Sequence, residues 1–198
     1  MAKIIPASML LDFYRRGLFP MAMNGELRLF SPDPRGVIPL DGFKIPHGSR
    51  KTLRDSSWSL TVNGAFEEVV LGCAERDETW IDETIFRSYL NLHRLGHAHS
   101  IEVWKEGDLV GGLYGVSIGA AFFGESMFSR TQGASKVALA GLVERLKERG
   151  FELLDTQWVT PHLATFGAVE IPQIDYLHQL AKATSSPVSF TDPTPRVA

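Results

Sequence analysis

The chain has 198 residues, 44% hydrophobic and 22% charged, which is the balance of one globular domain or two small ones and excludes a disordered or fibrous protein. Its single cysteine, Cys73, excludes an internal disulfide and a multi-cysteine metal site, no apolar run reaches membrane-spanning length, and residues 1–11 lack the long apolar stretch of a signal peptide, so a cytoplasmic protein is expected. The net charge of −3 argues against a general nucleic-acid coat, but residues 1–55 hold nine Lys/Arg against five Asp/Glu and residues 56–198 eleven against eighteen, an asymmetry compatible with one end touching phosphates while the other holds a cation.

In chain order, Ser8 is placed to cap a short helix through Leu10, Leu11 and Tyr14, which Gly17 ends. Phe19-Pro20 and Ser31-Pro-Asp-Pro-Arg-Gly36 then impose turns and extended backbone, so residues 1–60 read as a small loop-rich module. Two amphipathic helices follow: 65–74, with Phe66, Val69, Val70 and Cys73 inward, and 82–95, with Ile85, Phe86, Tyr89, Leu90 and Leu92 inward and Gly96 as its stop. From Ser100 the period becomes that of strands, and 101–104, 109–116 and 120–128 predict a three-strand antiparallel meander. A helix over 134–149, stopped by Gly150, leads straight into a strand at 152–157, and such a passage implies a right-handed crossover and a parallel pair. Thr160-Pro161 opens a short helix ended by Gly167, 174–183 forms a last one, and the Pro/Ser/Thr-rich residues 184–198 are expected to be a disordered tail. The fold class is α+β, with the main domain over residues 61–183.

Glu125, in Gly124-Glu-Ser-Met-Phe-Ser129, is an acid where a core strand would want Val or Ile. A buried carboxylate is expensive unless a cation or hydrogen-bond donor meets it, so it marks a candidate site, with a substrate ammonium as the expected cation and an ion pair with Arg130 or Lys136 as the structural alternative. Asp155 and Gln157 stand two apart on a strand and so share a face. A carboxylate beside an amide can hold and polarise an attacking amine and help stabilise a tetrahedral oxygen. His97 and His99 alternate, but with no acidic or cysteine partner at useful spacing no metal is expected there; His162 is a candidate substrate-side contact.

The meander, helix and parallel strand resemble the core of the Gcn5-related acyltransferases, in which the central strands splay and the acyl donor and amine acceptor meet in the gap from opposite sides. Nine segments carry a more specific resemblance: 16–20 (Arg-Gly-Leu-Phe-Pro), 30–35, 79–81, 95–104, 109–115, 124–129, 134–136, 154–157 and 166–168. In this order, from about Leu10 to about Leu180, the chain resembles the leucyl/phenylalanyl-tRNA–protein transferases. The resemblance implies transfer of Leu or Phe from Leu-tRNA or Phe-tRNA to the α-amino group of proteins beginning with Arg or Lys, which feeds N-degron proteolysis, by a monomer without membrane contact. It implies a catalytic pair, Gln157 contacting the amine and Asp155 supporting it. Glu125 would engage an amino group, with Ser126 beside it, while Leu113, Met127 and Leu154 would line the amino-acid pocket and Trp80 would stack on the terminal adenosine. The reaction is aminolysis of an already activated ester, so no cofactor and no metal is expected. The chain departs from some members at Met21, where they have Trp, and at Gln173, where arginine is common. It also starts almost at the first helix, where members often carry a further segment, so some phosphate contacts are expected to be missing. Two rivals are an acetyltransferase using acetyl-CoA, faintly echoed in Arg130-Thr-Gln-Gly-Ala-Ser135, and a catalytically inactive module that binds tRNA or protein N-termini.

Overall fold

The computed structural model describes residues 4–23, 25–76 and 79–191. Its strands are β1 (Phe19–Met23), β2 (Glu26–Phe30), β3 (Arg35–Val37), β4 (Trp58–Val62), β5 (Ala98–Lys105), β6 (Asp108–Ile118), β7 (Ala121–Ser129), β8 (Leu153–Gln157) and β9 (Val169–Ile171). Its helices are α1 (Ala7–Arg15), α2 (Arg50–Leu53), α3 (Phe66–Ala74), α4 (Glu83–Arg94), α5 (Ala134–Arg149), α6 (Pro161–Ala164) and α7 (Gln173–Ser185). The expected meander is β5-β6-β7, and the crossover through α5 brings β8 parallel to β7.

Local chemistry explains most of the element ends. The Asp82 carboxylate accepts from the Ile85 N–H at 2.8 Å to start α4, and Gly96, at φ +80°, lets the His97 N–H return to the Leu92 carbonyl and close it. Helix α1 differs from expectation: it starts at Ala7 behind Pro6 with no side-chain cap, so Ser8 lies inside its first turn.

The strands of residues 1–60 join two sheets. β3 and β4 belong to the main sheet, whose order is β4-β5-β6-β7-β8-β3-β9, while β1 and β2 form a separate two-stranded ribbon. Three residues between turns carry too short a pattern to announce an inner strand, which is why β3 escaped periodicity. Beyond the helices, residues 186–191 fold back in place of the expected disorder. Phe190 is buried, stacks on His99 and Phe122 at 4.4 and 5.2 Å, and its carbonyl accepts from Arg145 Nε at 2.9 Å. Residues 192–198 of that tail lie outside the described residues.

Two cores flank the sheet. One gathers Tyr14, Val69, Tyr89, Tyr114, Phe123 and Tyr176 beneath α1, α3, α4 and α7, and the other gathers Ile101, Leu113, Phe122, Leu139, Leu142 and Leu154 beneath α5. The feature that positions the site is a short pairing: β7 meets β8 only through Ala121–Phe123 and Leu153–Asp155. Past Phe123 the two strands part, and residues 124–129 face a gap. Among the described residues no helix is long and apolar enough to cross a membrane.

Candidate active site

The gap between β7 and β8 opens into a cavity of about 390 Å³. On the α5 side its wall is apolar, with Leu113, Met127, Leu139, Leu142, Leu154 and Leu163. Met21, Trp80 and Trp158 add a more exposed apolar and aromatic part, and Glu125, Ser126, Gln157, Arg76 and His162 supply the polar groups. Every expected site residue therefore stands in this wall except Asp155.

Glu125 is held by phenols. Tyr14 Oη lies 2.7 Å from Oε1, Tyr89 Oη lies 2.9 Å from Oε2, and the two hydroxyls also approach each other, so two phenol protons serve these three contacts, while Gln157 Nε2 donates to Oε1 at 3.1 Å. Burial pushes the Glu125 carboxyl up to about 7, against the pull of the two phenol bonds. Burial and the nearby carboxylate raise Tyr14 and Tyr89 well above the ordinary phenol range, so both stay protonated and remain donors. The ion-pair alternative does not hold: Arg130 grips Glu75 at 2.9 and 3.0 Å, and Lys136 reaches Ser49 at 3.4 Å. A carboxyl titrating near neutrality, surrounded by donors that hold no positive charge, can clamp an incoming ammonium or take its proton.

Gln157 reaches the cavity through an unusual backbone. Its φ is +66°, and the Trp158 N–H donates to the Thr156 carbonyl at 2.7 Å, closing a three-residue γ-turn around it. Turns of this hand are rare and strained, and a non-glycine residue in such a region costs about 1–3 kcal/mol. Asp155 lies directly behind. Its Oδ1 accepts from Arg35 Nε at 2.9 Å and from the Gln157 N–H at 2.8 Å, and its Oδ2 accepts from Arg35 Nη2 and Tyr176 Oη, each at 2.7 Å. With 0% exposure and four donors in place, this carboxylate has no free acceptor site for a substrate proton. It is saturated by the protein and supports Gln157 from outside the cavity.

Sequence reasoning missed the partners. Tyr14 and Tyr89 are legible as inward positions of helices, but nothing in that pattern says that their hydroxyls converge on Glu125 from 111 and 36 residues away. Arg35 and Tyr176 meet Asp155 across 120 and 21 residues in the same way. Arg76, whose guanidinium donates to Ser126 Oγ and the Met127 carbonyl, and Trp158, 43% exposed, also line the cavity unannounced. The histidines separate as expected of their settings. His99 is buried, hydrogen-bonded to Asn63 and Ser117 at 3.1 Å each, and pushed down to about 3 by burial and its histidine neighbours. His162 stands in the cavity wall with its basicity lowered by partial burial and by Lys136.

The family model described as leucyl/phenylalanyl-tRNA protein transferase matches residues 37–181. A protein named leucyl/phenylalanyl-tRNA–protein transferase from Cereibacter sphaeroides (strain ATCC 17025) is 53% identical, over 93% of this chain and 88% of its own length. The chain belongs to the leucyl/phenylalanyl-tRNA–protein transferase family. Another protein of that name, from Herpetosiphon aurantiacus, is 47% identical over 96% of this chain and 100% of its own. Among solved structures, a GCN5-related N-acetyltransferase from Kribbella flavida is 13% identical, with a TM-score of 0.46 over 83% of this chain and 59% of that one. The family match spans most of the site, since Trp80, Glu125, Asp155, Gln157 and Tyr176 all fall within residues 37–181, whereas Tyr14, Met21 and Arg35 precede it.

Proposed function

We propose that this chain transfers Leu or Phe from aminoacyl-tRNA to the α-amino group of proteins that begin with Arg or Lys. The observation that carries the reading is the Glu125–Gln157 hydrogen bond spanning the β7–β8 gap, between an apolar chamber and the Trp80 side of the cavity. An unbranched-at-Cβ side chain such as Leu or Phe fits a chamber walled by leucines and Met127, whose flexible thioether adapts to either shape. Trp80 offers its ring to the terminal adenosine. The acceptor arrives as an ammonium, whose ordinary pKa is about 8, and Glu125, titrating at about 7, is placed to hold it and to take its proton.

Gln157 donates one amide N–H to Glu125, which leaves its carbonyl oxygen to accept from the amine and its second N–H to face developing negative charge. The neutral amine attacks the ester carbonyl carbon, the new C–N bond forms, and the C–O bond to the ribose breaks. The proton lost from nitrogen ends on the departing ribose oxygen, so the net reaction needs no oxidant, reductant or added acyl carrier. Asp155, saturated by Arg35 and Tyr176, supports Gln157 and does not itself move a proton.

The test is a single-turnover assay with radiolabelled Leu-tRNA or Phe-tRNA and two peptides that differ only in an N-terminal Arg or Asp. Label is expected to pass to the Arg peptide alone. Bound tRNA with no transfer to either peptide would favour a module that only binds.

A further inference from the structure

We infer that Arg35 and Tyr176 are positioning residues for the transfer: through Asp155 they hold the strained turn that carries Gln157 into the cavity. The inference rests on the aminoacyl-transfer reading and goes beyond it by assigning work to two buried side chains outside the lining of the β7–β8 cavity. Strained backbone persists where its surroundings over-determine it. Here two separate parts of the chain converge on one carboxylate, and a third holds one of them. Arg35 comes from β3, Tyr176 from α7, and Arg35 is itself fixed by the Gly17 carbonyl beyond α1, at 2.9 Å from Nη1. The guanidinium also lies over the rings of Tyr176 and Phe19, 4.5 and 4.9 Å from their centroids. Both carboxylate oxygens are thereby pinned, and the lone pair left on Oδ1 points at the Gln157 N–H, 2.8 Å away.

The approach of β3 belongs to the same device. Gly36 pairs with Gln157, and a Cβ on it would sit 2.6 Å from the Trp158 carbonyl carbon, so only glycine lets β3 press against the turn. Were the clamp loosened, Gln157 would relax toward ordinary extended backbone. The side chain of a strand residue is aimed by its own φ and ψ, so that relaxation would turn the amide away from Glu125 and leave the amine without its second contact.

Tyr176→Phe is the informative variant, because it removes one hydroxyl and keeps the ring under Arg35. The single-turnover rate at saturating Leu-tRNA is expected to fall about five- to tenfold, the effect of one lost hydrogen bond, with KM for Leu-tRNA within about twofold of wild type. In a Gln157→Ala background the same change is expected to cause no further loss, since a residue acting through Gln157 has nothing left to position. Arg35→Lys, which keeps the charge and loses the fork, is expected to lower the rate by the same route. Amide hydrogen exchange at the Gln157 N–H is expected to accelerate in Tyr176→Phe whether or not transfer is assayed. Full rate in Tyr176→Phe, equal losses with and without Gln157, or unchanged exchange protection would each overturn the inference. A wild-type protein that transfers no label would instead overturn the transfer reading.

Discussion

A carboxyl raised to about 7 works against the fold above neutral pH. The stabilisation tied to the Glu125 proton is fully present below its ordinary 4.5 and is lost as pH rises through 7, a difference of about 3 kcal/mol. Glu125→Gln, which copies the neutral form, is therefore expected to raise the melting temperature at pH 8, with the gain gone by pH 5, while transfer falls roughly 100-fold or more. Melting curves at the two pH values and a single-turnover rate check both halves; a variant less stable than wild type at pH 8 would show that the charged carboxylate is welcome where it is. Asp155 and Gln157 should part in the opposite sense. Asp155→Asn leaves Arg35 buried without its counter-charge and is expected to lose about 3–5 kcal/mol of stability. Gln157→Ala is expected to slow transfer while changing stability by about 1 kcal/mol, since it gives up one side-chain hydrogen bond and leaves the backbone turn, still held by Asp155, as it is. Denaturant melts of the pair separate the two. At this scale the sequence points to Glu125 as an acid where a core strand wants an apolar group, and to Asp155 and Gln157 as a carboxylate and an amide two apart on one strand face. It could not show the γ-turn at Gln157, because a glutamine gives no sign of adopting φ near +66°.

Among the elements, those with many residues were legible and the short ones were not. Helices α3, α4, α5 and α7 and strands β5 to β8 follow from apolar spacing with caps and glycine stops that mean the same thing everywhere. β3 and β9, three residues each, have no period to read, and β4, with Ser59, Leu60 and Thr61 exposed, is an edge strand whose outer face carries little pattern. The cost of missing β3 is high, since Arg35 bonds Asp155 and Gly36 pairs with Gln157, at the turn that carries Gln157 into the cavity. Gly36→Ala is expected to destabilise by about 1–3 kcal/mol, because the added methyl meets backbone at 2.6 Å with no flexible atom to yield. A thermal melt with no shift would mean that β3 can retreat from the turn without consequence.

For the whole molecule, the uneven charge acquires a location. His47, Arg50, Lys51, Arg54 and Lys105, against the single acid Asp55, line an open groove with Thr131 and Gln132, ahead of the α5 N-terminus. Phosphate contacts there would make transfer weaken as salt rises, and Lys51→Ala is expected to raise KM for aminoacyl-tRNA and flatten the salt dependence, with the rate at saturation unchanged. The overall plan of meander, helix and parallel strand could be read from the sequence because each step is a local event. Composition alone cannot see that Phe190, within the stretch expected to be disordered, has a slot between His99, Phe122 and Phe151. On the proposed reading labour is divided, with Glu125 and Gln157 meeting the amine inside the cavity and Asp155 held behind them. A crystal structure with a non-reacting aminoacyl-adenosine amide and an Arg-initiated peptide decides it. The peptide amine is expected within hydrogen-bonding distance of Glu125 and Gln157, with Asp155 still on Arg35 and Tyr176; an Asp155 carboxylate turned into the cavity onto the amine would rule this division out.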